Sequence, residues 1–336
     1  MKKQAKKRIS LVMALALFIT AFGTLSVNAE QTDNTVHVTV VNTTFTSGSA
    51  PWVGQLLEAD VTLQDNDSME SVIERAITEQ NYEFTVSQYG YISSINGLSE
   101  YAANGNGGWM ASLNDWFTAD GTAAYTVANG GLQAGDEINM QYTCSWGADV
   151  GSLYGDYNTS LKGVDVKGSV TEETYNDLMS LDGETFEYTL GISVPEAVLS
   201  FYPEAYNKNY QVRTYLNSYQ PTVDGAEIRR GRSVSVKDGD IVYIGVGEAA
   251  WPSMNSWGGT AEKTVYTFRI SYVPVKGDLN GNGILDIQDV TILQRALADF
   301  ESLNETQTAV ADFNNDKKIN INDATDMQRK MAELPA

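Results

Sequence analysis

Gly277 to Phe300 reads GDLNGNGILDIQDVTILQRALADF, and Ala311 to Leu334 reads ADFNNDKKININDATDMQRKMAEL. The second stretch repeats the first at an offset of 34 residues, so the C-terminal region is an internal duplication. Each copy spaces oxygen-bearing side chains as a twelve-residue calcium loop requires, at positions one, three, five, nine and twelve. They are Asp278, Asn280, Asn282, Asp286 and Asp289, then Asp312, Asn314, Asp316, Asn320 and Asp323. The backbone carbonyls of Ile284 and Lys318, at position seven, complete each set, because calcium takes six to eight oxygens and a tight loop can wrap them around it. One ion per loop, two in all, is the expectation. Gly283 stands at position six, where the loop turns sharply. Lys317, its counterpart, must take an unusual backbone or loosen the loop, so the second site is expected to be the weaker. After each loop the apolar spacing predicts a helix, with Val290, Leu293 and Leu297 matched by Ala324, Met327 and Met331 and the two faces packed together.

Two loops that close on aspartate, each followed by a single helix, resemble the type I dockerins of cellulosome- and amylosome-type assemblies over residues 277–336. The resemblance implies a small α module, ordered by calcium, whose loop positions ten and eleven and mid-helix residues bind a cohesin domain of a scaffold protein. On this chain those positions are Ile287, Gln288, Gln294 and Arg295 in the first copy, and Ile321, Asn322, Gln328 and Arg329 in the second. Their near-identity implies binding in two orientations related by a half-turn. The alternative is an ordinary EF-hand pair serving as a calcium buffer or brace. That arrangement needs a helix before each loop, and Pro274-Val275-Lys276-Gly277 cannot form one ahead of the first.

Upstream, the pattern predicts two further domains. Residues 30–148 read as α+β, a mostly antiparallel sheet with one helix. Val36 to Val41 alternates as a strand, and Met69, Val72, Ile73, Ala76 and Ile77 share one helical face that Asp67 and Glu70 are placed to cap. Strands are expected at Glu83–Ser87, Tyr89–Ile95, Trp109–Leu113 and Glu137–Cys144, with turns at Asn96-Gly97 and Asn114-Asp115. Residues 149–169, rich in Gly, Asp and Asn, read as a linker. Residues 170–274 read as an all-β sandwich, immunoglobulin- or cadherin-like, with strands at Glu184–Ile192, Val198–Tyr202, Gln211–Leu216, Arg232–Val236, Asp240–Val246 and Thr264–Val273.

Residues 1–29 place five basic side chains ahead of an apolar run ending in Val27-Asn28-Ala29, the pattern of a secretory signal peptide; an uncleaved membrane anchor is the alternative. Without that leader 17 basic residues face 43 acidic ones, a formal charge of −26. Such a field disfavours nucleic acid and anionic lipid, and suits hard cations. A secreted protein, held at the cell surface through a scaffold, is the expectation, with no membrane span once the leader is gone. Cys144, the only cysteine, excludes an intramolecular disulfide and is expected to be a buried, inert thiol.

The first domain resembles the secreted bacterial domains related to the C-terminal domain of transcobalamin and intrinsic factor. The matching residues are Tyr89 to Leu98, Gly108 to Asn114 and Leu132 to Asp136. That resemblance implies a fold, with corrinoid or other small-ligand binding as one alternative function. His37, far in sequence from any Cys or His partner, reads as solvated or packed rather than as a ligand. Six Trp and 18 Tyr raise carbohydrate binding, since sugar rings stack on aromatic faces. Trp109, Trp116, Trp146, Trp251 and Trp257 are the candidates, the last two flanking a Pro/Ser-rich loop. No catalytic motif is present, so a binding protein is expected, with a glycoside hydrolase as the enzymatic alternative.

Overall fold

The structure, a computed structural model, describes residues 34–88, 90–168, 186–255 and 262–333. The leader and Trp257 lie outside these residues, as does the start of the strand expected from Glu184.

Strand β1 (Thr35–Asn42) alternates strictly, which places Val36, Val38 and Val40 wholly inside the core. It pairs antiparallel with β2 (Gly54–Thr62), a strand beyond those expected from the sequence, and parallel with β8 (Glu137–Thr143). β8 pairs antiparallel with β6 (Gly108–Leu113), and β6 with β7 (Trp116–Phe117), giving the order β2-β1-β8-β6-β7. A small second sheet holds β3 (Phe84–Val86), β4 (Ile92–Ile95) and β5 (Leu98–Ser99). Both expected turns form, with positive φ at Asn96, Gly97, Asn114 and Asp115, as two-residue hairpin turns of type I′ require.

Helix α1 (Met69–Glu79) lays its five predicted apolar residues, all at 0% exposure, into the core shared with the large sheet. Burial of each larger side chain contributes roughly 1.5–3 kcal/mol. The cap differs from expectation. Ser68 takes the N-cap and exchanges hydrogen bonds with Ser71, because the Asp67 carboxylate is already held by Arg75 at 2.5 Å and by the Gln64 N–H at 2.8 Å.

The second region is built of two sheets, β10-β15-β14-β12 and β13-β11-β9, whose facing sides share one apolar core. Its strands are β9 (Leu161–Gly168), β10 (Glu187–Ile192), β11 (Glu196–Ala205), β12 (Val212–Leu216), β13 (Ser233–Lys237), β14 (Ile241–Val246) and β15 (Thr264–Tyr272). All pair antiparallel except β10 with β15.

β9 corrects the reading of 149–169 as a spacer, since Leu161, Val164 and Val166 enter the core. The stretch before it is fastened by buried amides. Asn207 Nδ2 donates to the carbonyls of Leu153 and Asp156, each at 2.8 Å, and Asn255 Nδ2 to that of Asp156 at 2.7 Å. Side-chain amides do here what apolar contacts do elsewhere, so hydropathy alone does not reveal the order. Upstream, Asp149 accepts hydrogen bonds from the Cys144 N–H and the Thr143 hydroxyl. Cys144 lies just past β8 and is half-buried rather than buried, its thiol 3.6 Å from Thr44 Oγ1.

Charged pairs join the two β regions. Arg229 reaches Asp136, Arg230 reaches Glu137, and Lys208 reaches Asp115 at 2.6 Å, while the Phe117 N–H donates to the Lys208 carbonyl. Beyond β15 the chain turns helical, with α2 (Ile287–Leu297), α3 (Glu305–Ala311) and α4 (Ile321–Met331). Among the described residues no helix is long and apolar enough to cross a membrane.

Candidate functional site

The repeats fold as two loop–helix units back to back. Val290 and Leu293 of α2 meet Ala324 and Met327 of α4 in a small core with Leu279, Val310 and Ala311. Leu297 departs from its expected place. It sits at the end of α2, 36% exposed, beside Phe300 at 78%. The short helix α3, not expected from the sequence pattern, is capped by reciprocal bonds between Asn304 and Gln307, and Gln307 Nε2 also donates to the Leu279 carbonyl at 2.9 Å. The second loop therefore does have a helix in front of it.

Each loop is wound around the carboxylate at position one. Asp278 accepts from the N–H groups of Gly281, Asn282 and Gly283, and Asp312 accepts from those of Asp316 and Lys317. Asn282 Oδ1 accepts from the Ile284 N–H at 3.0 Å, and Asp316 Oδ1 from the Lys318 N–H at 2.8 Å. Asp286 and Asn320 cap α2 and α4. At position twelve, Asp289 and Asp323 are both 0% exposed and reach back to the amides of Asn280 and Asn314. Most of these contacts thus recur at the repeat offset, the N–H of Gly281 on Asp278 being replaced in the second loop by that of Asn315 on the Asp312 carbonyl, and they require positive φ at position six: Gly283 stands at 86° and Lys317 at 67°. Lys317 accepts the left-handed backbone without opening the loop.

The donor set fits a hard cation that prefers oxygen. Burial raises the pKa of the Asp289 carboxyl above its ordinary value, and the nearby charge of Asp278 adds to the shift, against the hydrogen bonds that lower it. A cation would relieve that crowding. Among the described residues no three His, Cys, Asp or Glu side chains cluster as a metal site by themselves. A cation in either loop would therefore draw also on the amides of Asn280 and Asn282, or Asn314 and Asn320, and on the carbonyls of Ile284 and Lys318.

The residues assigned to docking all face solvent. Ile287 is 60% exposed and Ile321 58%, and Gln288, Gln294, Arg295, Asn322, Gln328 and Arg329 are exposed beside them. Two near-equivalent outward surfaces result, differing in Gln288 against Asn322 and in the pairing of Arg295 with Glu301 at 3.2 Å.

Residues 276–332 match the family model of the dockerin type I domain. Dockerin type I domains bind calcium and dock to cohesin domains of cellulosome-type assemblies. The chain as a whole matches no curated protein and no solved structure.

The dockerin segment does not stand apart from the rest. Gly283 of its first loop lies so close to the turn after β10 that a Cβ there would fall 2.8 Å from Ser193 Oγ and Val194 Cγ1.

Most of the aromatic candidates are placed differently from the expectation. Trp109 is 3% exposed with its indole N–H on the Leu98 carbonyl, and Trp251 is 6% exposed with its own on the Pro221 carbonyl. Both are core residues rather than loop-borne platforms. Trp116 is buried at 7%, and Trp146 is exposed at 68%. His37 sits between Asp60 at 2.9 Å and Glu58 at 3.4 Å on a partly exposed sheet face.

Proposed function

We propose that this protein is a secreted, non-catalytic component of a polysaccharide-degrading assembly, held there by two calcium ions and a cohesin, with cargo domains that bind carbohydrate. The observation that carries the docking part is the pair of equivalent loop–helix units, each with its core-facing side chains buried and its recognition side chains exposed. The non-catalytic reading is supported by three little-exposed carboxylates of the cargo, each engaged by a basic or phenolic partner. Asp67 is held by Arg75, Asp136 by Arg229, and Glu248 by Tyr219 and Lys263. We read the first domain as transcobalamin-like in fold and the paired sheets of the second as an immunoglobulin- or cadherin-like sandwich.

The test uses the full chain and a panel of type I cohesin domains. Gln294→Ala with Arg295→Ala should leave binding intact through the second face, as should Gln328→Ala with Arg329→Ala through the first. All four changes together should abolish it. Complete loss from either pair alone would overturn the two-face reading, and no binding by the unaltered chain would overturn the docking function.

A further inference from the structure

Between the two β regions lies a cleft of about 310 Å³, the size of a small-molecule site. Leu113, Trp116 and Gln211, all buried, lie at its base, and exposed Asp224 and Gln133 lie at its rim. Trp116 packs edge-to-face with Tyr125 at 5.5 Å, so one wall is aromatic. The other wall carries three arginines, and each is neutralised. Arg229 is paired with Asp136 and Arg230 with Glu137; Arg213 has Glu227 at 3.9 Å and donates twice to Gln211 Oε1. With Asp224 added, the lining has no surplus positive charge to recruit an anion.

Hydrogen-bonding capacity is nonetheless left over. Among the described residues Glu227 Oε2, a buried acceptor 3.9 Å from Arg213, and Arg230 Nε, a buried donor, have no hydrogen-bond partner. Arg213 is fixed both by Gln211 and by the Trp251 ring, 4.8 Å away, so that part of the wall is ordered in advance of any ligand. Aromatic surface, fixed donors and acceptors of both kinds and no excess charge suit a ligand whose hydroxyls donate and accept while its C–H faces pack on rings.

We infer that this cleft binds an uncharged oligosaccharide. The inference rests on the carbohydrate-binding reading of the cargo and names its site. It also gives the buried Trp116 and Trp251 a role without exposing them, one as floor and the other as the support of Arg213.

Calorimetric titration of the full chain with cellohexaose, xylohexaose, maltohexaose and hexagalacturonate tests it. At least one neutral hexasaccharide should bind. Glu227→Gln and Asp224→Ala should each weaken that binding about tenfold, the equivalent of one lost polar contact, with the melting temperature unchanged. Neutral-sugar binding unaffected by either variant and lost in Trp146→Ala would overturn the cleft while leaving carbohydrate binding in place. Preference for hexagalacturonate would overturn the uncharged ligand. No binding of any of the four would overturn both the cleft and the carbohydrate reading.

Discussion

The guanidinium of Arg229 donates to Asp136 at 2.5 Å, and the Asp136 side chain has no exposure to solvent at all. Asp136 belongs to the first β region and Arg229 to the second, so a buried ion pair joins them. Asn114 Nδ2 and the Gln133 N–H also bond that carboxylate, at 3.0 and 2.7 Å, and Arg229 donates further to the Gly130 carbonyl. Removing one partner of such a pair leaves a charge buried without compensation. Arg229→Ala should therefore cost about 3 kcal/mol in urea denaturation, far more than Lys162→Ala at the exposed pair with Glu204.

Acid should act on the first domain through Asp67. Its hydrogen bonds to Arg75, with help from the Gln64 N–H and Ser71, hold its carboxyl below the ordinary 3.8. A lowered folded-state pKa means stability that is complete above the unfolded value and is lost as pH falls through the folded one. Denaturation measured from pH 6 downward should show Asp67→Asn less stable than the unaltered chain near neutrality, with the gap closing below about pH 4. A gap that stays constant with pH would show that the ion pair is not its source.

Position six of the two loops gives opposite expectations for mirror-image changes. Gly283→Ala forces a Cβ into left-handed backbone and against Ser193 and Val194, so it should cost about 1–3 kcal/mol in thermal melts with calcium. Lys317→Gly relieves the same backbone strain in the exposed second loop and should leave stability equal or slightly raised. Calcium titration of both variants should show the first loop weakened and the second not.

The loops and the α1 face were legible because their signals are local: ligand spacing, alternation and helical period depend only on near neighbours in the chain. What was missed is non-local. LKGVDVKG, the sequence of β9, looks polar, and pairing with β11 and burial of Leu161, Val164 and Val166 give it a place, while the amides of Asn207 and Asn255 fasten the stretch before it. Helix α3 is seven residues long, too short for a periodic signal, although Asn304 and Gln307 are the residues of its cap. The cleft was invisible because its walls come from segments about a hundred residues apart. One signal for it did exist: Arg229, Arg230 and Arg232 put three arginines in four residues of a strongly acidic chain.

Tryptophan exposure is equally non-local, and it separates two roles by experiment. Trp109→Ala removes a ring packed on Tyr142 at 5.3 Å and should cost about 3–5 kcal/mol. Trp146→Ala, at an exposed loop position, should leave the melting temperature unchanged.

Calcium is expected to build the docking surface. The decisive measurement is the Kd of the full chain for a type I cohesin domain, taken in calcium and again after chelation, with far-ultraviolet circular dichroism of the same samples. Binding in calcium, its loss on chelation together with part of the helical signal, and recovery of both when calcium is restored are the predicted results. Equal affinity and equal helical signal with and without calcium would show that the docking surface forms without the ion.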